Sequence, residues 1–167
     1  EKSFRVARGQ YDLYALFIEF GVNLLKENGR FGYIVPDAVL GRSNAQPVRD
    51  FILGKGLSNV LQVYGVFEDP SVANAILITS PRSEELHIAK IPFEKISEEP
   101  DWLTLKASVI ASLPNHKILA VTKSEYSLVQ KIRSQGKPLE MLVLELWRGE
   151  ELGKKTELVK TVEKEAF

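Results

Sequence analysis

The sequence contains no cysteine. Disulfides, thiolate metal sites and cysteine nucleophiles are thereby excluded, and the absence fits a reducing, cytoplasmic setting. Histidine is scarce as well: His87 and His116 stand far apart with no metal-ligand spacing around them, and each reads as an ordinary surface or strand residue. No apolar run approaches the roughly 18 residues of a membrane span. The first residues lack the charged and apolar regions of a signal peptide, so no membrane partner is expected. Charge of one sign is not in excess, since Lys plus Arg and Asp plus Glu both number 22. Any nucleic-acid contact must then come from a local cluster. Neither GxGxxG nor GxxxxGK(S/T) occurs, so no nucleotide loop is visible. The chain opens on Glu1 in the middle of a pattern, which reads as a piece of a longer protein.

What is present is the texture of a folded α/β protein. At 167 residues, 44% apolar and 26% charged, the chain suits one ordinary domain with part of a second. Leu13, Leu16, Phe17, Phe20, Leu24 and Leu25 repeat at helical spacing and predict an amphipathic helix over residues 11–28, with this stripe buried and Asn28-Gly29 as its stop. Phe31 to Val35, closed by Pro36, predicts a strand buried on both faces, as in parallel sheets. Ser43 or Asn44 caps a second helix that tolerates Pro47 in its first turn, with Val48, Phe51, Ile52 and Leu53 inward. Val60 to Tyr64 and Val72 to Thr79 predict two more strands. The link between them is too short for a helical crossover, so they should pair antiparallel. Beyond Pro81, Leu86 to Ile91 alternates like a half-buried strand, and residues 92–101 read as an acidic loop. Short strands are expected at 102–105 and 117–121, and a helix capped by Ser124 over 125–134. The composition turns polar and glycine-punctuated after a soft boundary between about 125 and 138.

One stretch resists this reading. In "YGVFEDPSVANAILITS", residues 64–80, Phe67 stands between a glycine and the turn-prone Glu68-Asp69-Pro70-Ser71, at the tip of a connection between buried segments. A ring in such a place either plugs the core beneath its loop or faces a ligand. Asp37, Glu68 and Asp69, each isolated near a turn, read as solvated turn residues.

Residues 8–40, "RGQYDLYALFIEFGVNLLKENGRFGYIVPDAVL", followed by "VRDFIL" and "VYGVFEDPSVANAILI", resemble the second half of the catalytic domain of adenine-N6 DNA methyltransferases. The group concerned carries an Asn-Pro-Pro-Tyr motif and includes type II and type IIG restriction-modification enzymes, some fused to nucleases. The Tyr-Asp-Leu-Tyr helix, the Gly-Arg-hydrophobic-Val-Pro strand and the Phe-then-Val strand occur in the family's order, over roughly residues 8–80. "RGEELGKK" more loosely resembles the opening of the target-recognition domain that follows in such enzymes. The glycine loop that holds S-adenosylmethionine and the Asn-Pro-Pro-Tyr turn that grips the flipped adenine are both absent from these residues.

The resemblance implies an α/β fold in which residues 1–81 supply the last three strands of a Rossmann-like methyltransferase sheet, the final one antiparallel. Residues 82–135 would be a sheet extension and connector, and 136–167 the start of a DNA target-recognition region. It implies S-adenosylmethionine as cofactor, double-stranded DNA as partner and substrate, and an upstream half-domain as a further partner; the open strand edge left without that half invites a homodimer. By the same resemblance Phe67 stacks on the flipped adenine, and Phe17 touches the cofactor's adenine ring, with Tyr11 and Tyr14 on the same wall. Arg148, Lys154 and Lys155 would contact DNA phosphates. No catalytic residue is expected in this chain. Two other readings remain open: a non-catalytic DNA-recognition or scaffold module, and a methyltransferase acting on a protein amide nitrogen.

Overall fold

The structure, a computed structural model, describes residues 4–67, 73–81 and 83–142. The chain divides into two compact units, residues 1–129 and 130–167. The first is built on a mixed five-stranded sheet in the order β1-β3-β2-β4-β5. Its strands are β1 (Phe31–Pro36), β2 (Leu57–Tyr64), β3 (Asn74–Thr79), β4 (Glu85–Pro92) and β5 (Leu103–Lys106). β3 runs antiparallel to both β1 and β2, the pairing expected from the short link that precedes it. β4 adds on parallel to β2, and β5 closes the far edge antiparallel to β4. The sequence reading of an α/β chain with a mixed sheet therefore holds.

Helix α1 (Leu13–Asn23) precedes β1. Between β1 and β2 the chain forms a single turn, α2 (Ala38–Gly41), then a 3-10 turn and α3 (Gln46–Gly54). Pro47 sits in the first turn of α3, where its missing N–H removes no intrahelical bond. One apolar cluster joins these helices to the sheet. Ile18, Val48 and Ile52 meet alternate strand residues Val35, Ala75, Leu77, Val60 and Ile88. Each Val, Leu or Ile side chain among these, fully buried, contributes about 1.5–3 kcal/mol of transfer free energy.

Three expectations give way here. α1 buries Ala15, Ile18, Glu19 and Val22, whereas Leu13, Phe17, Phe20 and Leu24 are exposed. Most large residues of the stripe are thus on the outside, with Leu16 packed at the margin of the core, and the side that meets the core carries Ala15, Ile18, Glu19 and Val22. The approach to β1 is close at Gly21, where a Cβ would lie 2.5 Å from the Phe31 ring. The helix also stops at Asn23, short of Asn28-Gly29. Second, β1 is an edge strand buried on one face only. Ile34 and Ile78 are exposed, as is the outer side of β1 generally, since no described helix covers that side. Third, residues 117–121 form no strand. Ile118 is buried, and its N–H donates to the Leu40 carbonyl at 3.0 Å, one anchoring bond in place of a ladder.

After β5 comes a short helix, α4 (Ala107–Ala111), that the sequence did not signal. A last helix, α5 (Lys123–Gln135), contains the boundary between the two units. Its cap is Thr122, not Ser124. The Glu125 N–H donates to the Thr122 hydroxyl (3.2 Å), while the Thr122 N–H donates to the Glu125 carboxylate (2.7 Å). This reciprocal capping box was written in the sequence as Thr-Lys-Ser-Glu.

Candidate functional site

β1 and β2 are parallel to one another, both paired with β3, and end together: Pro36 and Val63 both lie opposite Asn74. In α/β sheets the crevice beyond such carboxyl ends is the usual ligand position. Asp37, the residue after β1, is fixed there. Its N–H donates to the Ala73 carbonyl at 3.0 Å, and its carboxylate accepts from the Gln62 side chain at 2.8 Å. It is half-buried and ties the end of β1 to β2 and to the start of β3, rather than standing free as a solvated turn residue. Glu68 and Asp69 lie outside the described residues.

Beyond Tyr64 the chain leaves the sheet through Gly65, whose φ of +77° is one that a side chain disfavours. Phe67 follows, 57% exposed, and it stacks on no other ring among the described residues. The core cluster does not include it. The conformation of Gly65 turns the chain at the end of β2, and Asp37 braces the other side of the same edge.

The start of α1 is tied to this edge as well. The Asn44 side-chain amide, in the connection after β1, donates to the Gln10 carbonyl at 2.8 Å. Tyr11 and Phe17 are exposed, Phe17 at 57%. Tyr14 is half-buried against the core; burial, and then the Asp12 carboxylate, push its phenol above the usual range, so it stays a neutral donor. The four aromatics singled out from the sequence therefore fall into two groups: Phe67 on the turn after β2, and Tyr11, Tyr14 and Phe17 on the first two turns of α1 and their approach.

Two buried charged groups escaped the sequence reading. Glu19 is 5% exposed and accepts the Val6 N–H at 3.0 Å, which pins the segment before α1. Arg49 is fully buried. Its guanidinium donates to the carbonyls of Val39 (2.7 Å), Arg42 (2.9 Å) and Asn115 (2.9 Å). Burial lowers its pKa. Asn115 and His116 both have positive φ, 53° and 49°, and Asp50 holds His116 at 2.6 Å. These contacts keep a left-handed turn against α3. For Arg49 a signal was available, since Val48, Phe51 and Ile52 flank it on an apolar helix side, where an ionised group needs partners; Glu19 gave none, because it lies opposite the large apolar stripe of α1.

His87 bonds the Thr104 hydroxyl across the sheet at 2.8 Å, and among the described residues no group of acidic and histidine side chains could hold a metal ion. Arg148, Lys154 and Lys155 lie outside the described residues. No helix among the described residues is long and apolar enough to cross a membrane.

Residues 1–67 match the family described as Eco57I restriction-modification methylase. Over 156 residues, 92% of the chain, the sequence is 24% identical to the type II restriction enzyme and methyltransferase RM.Eco57I of Escherichia coli, of which this covers 14%. Over 77 residues, 46% of the chain, it is 31% identical to the type II methyltransferase M.TthHB8I of Thermus thermophilus, covering 18% of that protein. The chain thus spans less than a fifth of the length of these curated relatives. The fold is similar to that of the type IIG restriction endonuclease BpuSI, with a TM-score of 0.60 and 16% identity over 92% of this chain and 21% of that one. It is also similar to the M protein of the type I restriction enzyme EcoKI, with a TM-score of 0.52 and 13% identity over 99% of this chain and 52% of that one. The resemblance read from the sequence agrees with these matches: residues 1–67 match a restriction-modification methylase family.

Proposed function

We propose that this chain is the C-terminal part of the catalytic domain of a DNA methyltransferase that transfers the methyl group of S-adenosylmethionine to N6 of a flipped adenine, in a restriction-modification or phage-defence system. In this reading β1, β2 and β3 are the last three strands of the Rossmann-like sheet, and their order β1-β3-β2 with β3 antiparallel supports it. The observation that carries the proposal is the position of Phe67: an exposed ring, outside the core, on a turn at the carboxyl edge of the sheet.

The chemistry needs such a ring. The amino nitrogen of adenine is out of reach inside a duplex, so the base must leave the stack. The extruded base loses its neighbours, and an aromatic face recovers about 1–3 kcal/mol of that stacking. S-adenosylmethionine supplies an electrophilic methyl group when bound. Toward it this chain offers Phe17 and Tyr11, exposed rings at the start of α1, and Tyr14 on the same segment, a neutral donor. In this reading these residues supply an apolar wall with a polar edge, which suits a nucleoside ring. The wall orients the cofactor, and the Phe67 face fixes the base. The groups that accept hydrogen bonds from the adenine amino group are assigned to the upstream half-domain, because no Asn-Pro-Pro-Tyr turn occurs in this sequence.

The test is methyl transfer from labelled cofactor by the complete enzyme, followed by nucleoside analysis. Label in N6-methyladenine is the expected result. Label in protein would place the enzyme among amide-nitrogen methyltransferases, and DNA binding without transfer would make it a recognition module. Calorimetry on residues 1–167 alone should show no tight S-adenosylmethionine site. Micromolar binding there would overturn the division of the site between two half-domains.

A further inference from the structure

The segment before α1 and the connection after β1 enclose a cleft of about 640 Å³ that the reading so far leaves unused. Its wall carries two cations, Arg5 and Arg8. Both are exposed, and neither is paired with a carboxylate among the described residues. Asp50 is a carboxylate on the lining, and it is engaged by His116 at 2.6 Å. Ser43 and Gln46 line the cleft too, with side chains that make no hydrogen bond to the described protein. Two unpaired guanidinium groups beside neutral hydroxyl and amide donors form the donor set that proteins direct at nucleic-acid phosphates.

The backbone here is specifically held. Val6, between the two arginines, is buried, and its N–H donates to the buried Glu19 carboxylate. Its carbonyl accepts the Arg8 N–H at 3.0 Å, and Gly9 follows with a φ of +61°. Val6 acts as a pin, so that Arg5 and Arg8 stand on a fixed support. The Asn44 side chain, bonded to the Gln10 carbonyl, joins this support to the connection that leaves the carboxyl end of β1. The cleft therefore adjoins the connection that leaves the carboxyl end of β1.

We propose that this cleft is a phosphate-binding site for the DNA backbone, in which Arg5 and Arg8 hold phosphodiesters flanking the extruded base. The proposal rests on the DNA-methyltransferase reading above and deepens it. A base that swings out of the duplex must turn about its own backbone, and fixed phosphates on either side define that pivot. Contacts of this kind carry no sequence information. They release counterions, so their signature is salt dependence.

The experiment uses the complete enzyme and its Arg5→Ala/Arg8→Ala double variant, with fluorescence anisotropy on target and random duplexes over about 50–200 mM salt. The slope of log Kd against log salt should become shallower by about 1 per arginine, and both duplexes should weaken by the same factor. Arg5→Lys/Arg8→Lys should restore the slope, since the charge is kept. Because both side chains are exposed, melting temperatures should not move. A duplex with neutral methylphosphonates flanking the target adenine should bind the native enzyme more weakly, and the double substitution should add little further loss. An unchanged slope, a loss confined to the target duplex, or fully additive losses with methylphosphonate would each overturn the proposal while leaving the methyltransferase reading intact. A native enzyme without salt-dependent DNA binding would overturn both.

Discussion

A ring at the end of a strand has two possible roles, and Phe67→Ala separates them. Burying a phenylalanine in a core makes its truncation cost about 3–5 kcal/mol of stability, whereas surface substitutions stay within about 0.5 kcal/mol. Phe67 is 57% exposed and outside the core cluster, so Phe67→Ala in the complete enzyme should melt at nearly the native temperature. Capture of an extrahelical adenine, read from 2-aminopurine fluorescence at the target position, should weaken by about 1–3 kcal/mol, with S-adenosylmethionine affinity unchanged. Phe67→Trp or Tyr should keep much of the flipping signal, because either ring offers a face. A large fall in melting temperature with normal flipping would return Phe67 to the core.

At the scale of elements, the ends of helices and strands carry the tunable interactions. Glu125 closes the capping box of α5 and also accepts from the Lys90 ammonium at 2.7 Å. The Lys90 hydrogen bond, and then that from the Thr122 N–H, hold the Glu125 carboxyl at about 2 against its ordinary 4.5. The folded-state pKa is the lower one, so the contribution to stability is complete above about pH 4.5 and disappears as pH falls through about 2. The protection of the amides of residues 122–125, taken relative to the intrinsic exchange rate at each pH, should therefore fall on acidification within that window. Glu125→Ala should show low protection at the Thr122 amide already at neutral pH, whereas Glu125→Gln, which keeps an acceptor but cannot ionise, should show no step in the acid range. Protection independent of pH in the native protein would mean that the box is not formed in solution.

At the scale of the whole molecule, unpartnered apolar surface is the dominant feature. Leu13, Phe17, Phe20 and Leu24 are exposed on α1, and Ile34 and Ile78 on the outer face of the sheet. β1 pairs only with β3 among the described strands, leaving a row of free backbone donors and acceptors, a template for pairing with another strand. Residues 1–167 alone should consequently self-associate in sedimentation velocity as concentration rises. Co-expression with the upstream half-domain proposed above should suppress this. A persistent monomer with Phe31 to Val35 protected from amide exchange on both sides would contradict the open edge.

The sequence by itself determined the local elements whose signals are short-range: the helix before β1, the helix begun by Pro47, the strands around Phe31, Val60 and Ile88, and the antiparallel pairing forced by a link too short for a crossover. It also carried the resemblance to restriction-modification methylases, through ordered motifs on residues 8–80, which the match over residues 1–67 supports. Only the tertiary structure decided which side of each element faces inward. Periodicity shows that α1 is amphipathic, but spacing alone does not fix which of its sides is buried. The side that meets the core is that of Ala15, Ile18 and Val22, with Phe31 closely approaching Gly21. The same choice left Phe17 outside, and the departure through Gly65 did so for Phe67. The partners of Glu19, Arg49 and Asp37 were equally invisible, because hydrogen bonds to carbonyls and amides up to 66 residues away leave no pattern in a chain read by its neighbours. Where the chain folds was a local matter; what its side chains meet was decided by packing.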